Sequence, residues 1–185
     1  PRSPGGRVRR SAGRAVGVLA AAAAATSASG QSIASGPIFN PVNGHNYYLL
    51  TNSNWSSARV FALSIGGDLA TINDVAENDF VVANFAPLAS RLWIGLTDAA
   101  GEGQWAWASG APIGFTNWEP GEPNNGGGAG ENWVHIYTNN GRWNDVRDIA
   151  VGPAIGPLFG VVEHPGSVNN SCSTALSVTP GTLTG

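Results

Sequence analysis

Residues 119–133 read EPGEPNNGGGAGENW, with three glutamates and three asparagines set among prolines and glycines. The run has no hydrophobic period, so neither helix nor strand can order it alone. It closes a stretch from Thr97 to Asn132 that offers only short strand fragments, such as QWAWAS (104–109). A connection of that length inside a compact domain is ordinarily functional. Ordering it costs about 1–2 kcal/mol per residue. Trp105, Trp107 and Trp118 offer burial. The carboxylates do not, because acidic groups drawn together repel.

A hard divalent cation removes that repulsion. Calcium takes about six to eight oxygens from carboxylates and carbonyls. Glu122, Asn124 and Glu131 lie in the loop; Asn144 and Asp145 lie in RWND (142–145) at a strand end. Together they supply three negative charges and two amide oxygens. No His or Cys stands among them, which argues against zinc. A polar surface loop of ordinary turn residues is the competing reading.

Upstream, the pattern alternates between strand and helix. GHNYYLL (44–50) reads as a first strand. SNWSSARVFALSIGG (53–67) reads as a helix capped by Ser53 or Asn54, with Trp55, Ala58, Phe61, Ala62 and Ile65 on one face and Gly66–Gly67 ending it. DLATI (68–72) is a short strand. NDVAENDFVVANFAP (73–87) is a second helix, with Asp74 and Glu77 as a capping pair and Ala76, Phe80 and Val81 inward. RLWIGL (91–96), WVHIY (133–137) and LFGVVE (158–163) read as buried strands. The order predicts an α+β fold, not a wound parallel sheet.

The ends differ from this middle. RVRRSAGRAVGVLAAAAAATSASGQ (7–31) has a basic start, an apolar centre and a small-residue exit, the layout of a secretory signal peptide over residues 1–30. Its apolar part is too short to span a bilayer. Arg9–Arg10 is a weak hint of a twin-arginine signal. Residues 166–185 are Ser/Thr/Gly-rich and uncharged, a linker or the start of a further module. Five of the nine Arg lie in the leader and there is no Lys. Four Arg then face twelve Asp and Glu, a balance near −8. Such a chain is a poor partner for nucleic acid or anionic membranes. The one cysteine, Cys172, lies in the tail, so residues 37–165 hold no internal disulfide.

Four landmarks carry a family resemblance: WIGL (93–96), EPN (122–124), Glu131 and WND (143–145), preceded by GGDLATI (66–72) and AENDF (76–80). In this order and spacing, residues 44–164 resemble a C-type lectin-like domain, here expected over 37–165. The resemblance implies two helices, small antiparallel sheets and a long calcium-binding loop. It implies a calcium on Glu122, Asn124, Glu131, Asn144 and Asp145, with a cis peptide before Pro123. It implies that the same five residues bind sugar: two vicinal hydroxyls coordinate the ion while carboxylates accept from them and amides donate to them. The Glu-Pro-Asn order implies mannose-type sugars, with glucose, N-acetylglucosamine and fucose in the same class. A second calcium is implied at Asp98, Glu102, Asn125, Glu131 and Asn132. Asn125 and Asn132 stand where carboxylates are usual there, so that site is expected to be weak. The two disulfides of the family fall on Ala62 with Val162 and on Trp133 with Asp148, and all four cysteines are absent. One extra residue separates Asn124 from Glu131.

The function expected is therefore an exported, calcium-dependent, carbohydrate-binding domain, secreted, periplasmic or at the cell surface. No nucleophile–base pair points to an enzyme. Useful avidity would come from several copies or from added modules. The rival readings are a protein-binding domain with structural calcium and a non-catalytic module of a larger extracellular enzyme. Trp143 is expected in the core, Trp105 and Trp107 under the loop, His135 beside the site and Glu119 on the surface. Asn54 and Asn169 fit the glycosylation pattern.

Overall fold

The computed structural model describes residues 30–126, 130–149, 151–152 and 156–166. The expected leader (save Gly30), Asn169 and Cys172 lie outside them.

Both helices begin at their expected caps. Helix α1 (Trp55–Ser64) starts at Asn54, whose side-chain oxygen accepts from the Ser57 N–H at 3.0 Å. Trp55, Ala58, Phe61 and Ala62 form its buried face, with Ile65 half-buried just beyond. Helix α2 (Val75–Phe85) starts at Asp74, which accepts from the Glu77 N–H at 2.8 Å. Its inner face departs from expectation at Ala76, while Val81 is buried as expected and Phe80 packs on the core. Ala76 is exposed and Phe80 half-buried, whereas Glu77, Asn78, Val81 and Phe85 are buried. Polar partners set this rotation. Glu77 accepts from the Tyr47 hydroxyl and from the Asn73 N–H (2.8 Å), and Asn78 accepts from Trp143 Nε1 (2.8 Å).

The strands are β1 (Ile33–Asn40), β2 (His45–Asn52), β3 (Asp68–Leu69), β4 (Arg91–Thr97), β5 (Ala106–Trp107), β6 (Trp133–Tyr137), β7 (Trp143–Val146), β8 (Val151–Gly152), β9 (Gly156–Pro157) and β10 (Phe159–His164). The α+β class holds. The small antiparallel sheets are instead merged into one eight-stranded sheet, ordered β1-β2-β10-β4-β6-β7, with β3 on β10 and β5 on β4. A two-stranded β8–β9 ribbon stands apart. The join is a short parallel pairing of Phe159 with Leu92 and Gly160 with Trp93; among the described residues the other strand ladders are antiparallel, and a parallel bridge joins Trp118 to Trp143. Glycine makes the close approaches possible. A Cβ on Gly95, inside WIGL, would stand 2.7 Å from the Leu69 carbonyl oxygen, and the Gly95 N–H donates to the Ala70 carbonyl at 2.8 Å.

Strand β1 begins at Ile33, four residues ahead of the expected domain start. Pro37 sits inside it and lacks an N–H, which an edge strand tolerates. Of DLATI, only Asp68 and Leu69 form a ladder.

Two hydrophobic clusters fill the interior. One, around Leu92, Ile94, Leu96, Val81 and Phe85, lies beneath the long loop. The other packs α1 against β10 and includes Ala62 and Val162, both fully buried. The loop hangs on Trp143. The rings of Trp107, Phe115 and Trp118 meet it edge-on at 5.9, 5.6 and 5.9 Å, and Trp105 packs on Trp118 at 4.9 Å. Burial of these aromatics offsets the loop's ordering entropy. Among the described residues no helix is long and apolar enough to cross a membrane.

Candidate metal centre

Trp143 is fully buried and fixes the start of β7, so the next two residues, Asn144 and Asp145, sit at a set place under the loop. Asp145 is 1% exposed. Its two oxygens accept from the backbone N–H groups of Asn124 (3.1 Å) and Asn125 (2.9 Å). Asn125 takes a left-handed backbone (φ 48°), and its side-chain oxygen accepts from the Glu131 N–H at 2.8 Å. The loop tip is thus stitched across its two arms. The Glu122–Pro123 peptide is cis.

The oxygens converge. A Cβ on Gly126 would lie 2.7 Å from Asn124 Oδ1 and 2.9 Å from Glu131 Oε2, so only glycine leaves that space open. Glu122 contacts the Asp145 carboxyl, and its Oε2 is buried with no hydrogen-bond partner. Burial, contact with Asp145, and the charges of Asp145 and Glu131 push the Glu122 carboxyl up to about 7. Burial also raises Glu131; the Gly126 N–H and Arg147 oppose the shift, and Asp145 adds to it. Three carboxylates and amide oxygens held together, one of them orphaned, fit a hard oxygen-seeking cation. Among the described residues no three His, Cys, Asp or Glu side chains form a ready-made cage. The structure gathers Glu122, Asn124, Glu131 and Asp145, an amide among carboxylates.

Asn144 is half-buried, with its Nδ2 3.5 Å from His135 Nε2. His135 is fully buried, and burial pushes its pKa down to about 3, so it is neutral. Sequence reasoning missed the double acceptor role of Asp145 and the open space at Gly126. The glycine run was a visible signal for the second.

The residues expected at a second calcium are less gathered. Asp98 is buried, with Oδ2 accepting from the Gly103 N–H (2.8 Å) and Oδ1 without a partner. The Asn132 Oδ1 is also buried and unpartnered. Glu102 is exposed, and Asn125 is occupied by the Glu131 N–H.

The positions of the absent disulfides carry other contacts. Trp133 packs against Trp55 (6.5 Å between rings), and Asp148 accepts from the Ser56 N–H at 3.1 Å, so both reach the first turn of α1.

Residues 51–155 match the family model described as the Lectin C-type domain. Over 110 residues the chain is 36% identical to the human C-type mannose receptor 2, covering 59% of this chain and 7% of that protein. Over 99 residues it is 39% identical to the mouse low affinity immunoglobulin epsilon Fc receptor, covering 54% of this chain and 29% of the receptor. The chain therefore spans less than a third of the length of either of these two relatives. Among solved structures it resembles the cow C-type carbohydrate-recognition domain of CD23, in the presence of GlcNAc2Man3 oligosaccharide, at TM-score 0.56 and 30% identity, covering 65% of this chain and 88% of that one. Fold, loop architecture and matched residues agree: the chain belongs to the C-type lectin domain family.

Proposed function

We propose that the chain is a calcium-dependent carbohydrate-binding domain, exported from the cell, that holds mannose-type sugars. Glu122, Asn124, Glu131, Asn144 and Asp145 would hold one calcium, which supplies a coordination site for two vicinal hydroxyls. The chain's own part is to orient them: carboxylates accept hydrogen bonds from the hydroxyls and the amide NH2 groups donate to the remaining lone pairs. The observation that carries this reading is the orphaned, buried Glu122 Oε2 beside Asp145, with Asn124 Oδ1 and Glu131 Oε2 gathered at Gly126. Asp98, Glu102, Asn125, Glu131 and Asn132 would form a weaker second calcium site. A monosaccharide of about twelve heavy atoms at about 0.3 kcal/mol each binds at about millimolar strength. We read the domain as binding, not catalytic, and as gaining avidity from copies or neighbouring modules.

A glycan array run with calcium and with a chelator tests this. Mannose-type glycans should be retained only with calcium, and equal retention in chelator would count against the reading. A protein-binding domain with structural calcium is the second reading, favoured by the relative that is an immunoglobulin Fc receptor. It predicts calcium-dependent folding with an empty array.

A further inference from the structure

Asn78, on the inner face of α2, is 1% exposed, and both ends of its amide are engaged. Its Oδ1 accepts from Trp143 Nε1 at 2.8 Å, and its Nδ2 donates to the Gly141 carbonyl at 3.2 Å. Gly141 has a left-handed backbone (φ 73°), and a Cβ there would stand 3.0 Å from Asn78 Nδ2. One buried amide thus holds both the turn between β6 and β7 and the first residue of β7. Its own place is fixed by the helix. Asp74 caps α2, and Glu77, the preceding residue, accepts from the Tyr47 hydroxyl, from Asn43 Nδ2 (3.2 Å) and from the Asn73 N–H (2.8 Å).

Trp143 is the common root of two chain segments. Its N–H donates to the Asn117 carbonyl at 2.9 Å, and its carbonyl accepts from the Glu119 N–H at 2.8 Å. The Glu119 carbonyl accepts in turn from the Glu122 N–H at 2.9 Å. The Asn117 side chain donates at 2.8 Å to the same Gly141 carbonyl that Asn78 holds. In the other direction, Trp143 runs directly into Asn144 and Asp145. Glu122 and Asp145, whose carboxyls meet, therefore stand on arms that both hang from Trp143. Without Asn78, the indole N–H is buried with no partner, and a shift of the ring to relieve this carries both arms with it.

We propose that Asn78 is a positioning residue for the candidate metal centre, setting the register of its two ligand arms through Trp143. This rests on the calcium reading of that centre. Asn78 bonds to Trp143 and Gly141, not to the five proposed ligands. It acts on where they stand, as hydrogen-bonding residues behind metal ligands do.

Calcium titration by calorimetry on the full chain, well below its melting temperature, tests this. Asn78→Ala should weaken calcium binding about ten-fold, the low end for residues that orient metal ligands. Val162→Ala opens a cavity in the core cluster around α1, so it lowers stability but should leave calcium affinity unchanged. Trp143→Phe, which loses the indole N–H, should match Asn78→Ala, and the double variant should bind no more weakly than either single one. In chelator, the Trp143 indole N–H should exchange slowly with solvent in the unaltered protein and fast in Asn78→Ala. Unchanged calcium affinity in Asn78→Ala, an equal loss in Val162→Ala, or losses that multiply in the double variant would overturn the positioning role alone. If Asn78→Ala does not fold, Trp143→Phe carries the test, with unchanged calcium affinity as the overturning result. No calcium binding by the unaltered protein would overturn the calcium reading, and the positioning role with it.

Discussion

Asp145 accepts the backbone N–H of Asn125 at 2.9 Å, so a carboxylate at the end of a sheet strand holds down the tip of a loop twenty residues earlier in the chain. It also contacts Glu122, which it repels when both are ionised. Asp145 therefore both supports the loop and strains it. Calcium should relieve the strain and raise the melting temperature, by about 2.7 kcal/mol of stability at a hundredfold excess over its dissociation constant. In Asp145→Asn the calcium-induced rise should vanish in thermal melts with and without chelator. A full rise in the variant would remove Asp145 from the ligand set.

Glu122 predicts a pH dependence whose sign depends on calcium. Its carboxyl is raised toward 7 in the folded chain, so the native state holds a proton that the unfolded chain has released. Without calcium, this contribution is present in acid and lost as pH rises from the ordinary carboxylate range through about 7. Calcium requires the ionised form, so its affinity should rise across the same window. Melts in chelator and calcium titrations from acid to weakly alkaline pH check both slopes.

Glu122 and Asn124 flank one proline, and in the proposed sugar site the carboxylate accepts where the amide donates. Exchanging them, Glu122→Gln with Asn124→Asp, conserves charge and both oxygen donors. Calcium should still bind. Mannose affinity should fall at least a few-fold, since a misdirected hydrogen bond costs about 1–3 kcal/mol. Galactose should begin to bind. Competitive elution from immobilised mannose at fixed calcium reads the change, with calcium affinity measured separately.

Trp143 joins the loop's aromatics to helix α2 through Asn78. Trp143→Ala should cost about 3–5 kcal/mol in denaturant unfolding, as for other buried aromatic truncations. Trp143→Phe keeps much of the packing and loses the bond to Asn78, at about 1–2 kcal/mol. An alanine variant of native stability would mean that Trp143 does not anchor the loop.

Much of this was legible in the sequence because the signals were local. Asn54 and Asp74 announced the helix starts by cap chemistry. The Trp pairs announced what lay beneath the loop. The excess of oxygen-bearing side chains in 119–133 announced where carboxylates and amides would gather. Features set by distant partners were not legible. Helix α2 turned Glu77 inward and Ala76 outward because Tyr47 and Asn73 lay waiting for a carboxylate, and no period along the helix encodes that. Strand β1 was obscured by Pro37, whose missing N–H is harmless only at a sheet edge. The merging of the sheets depended on a two-residue parallel contact across Gly160, too short to leave a pattern.

Trp55 on Trp133 and Ser56 on Asp148 form an anchor between α1 and the strands carrying the loop, at a place where the family pattern has a covalent bond. Residues 30–166 contain no cysteine. Such an anchor is made and unmade on the timescale of folding itself, without an oxidase or an isomerase. A domain tied this way should show the same melting curve with and without reductant. Its limit is set instead by heat, which loosens the tilted indole pair.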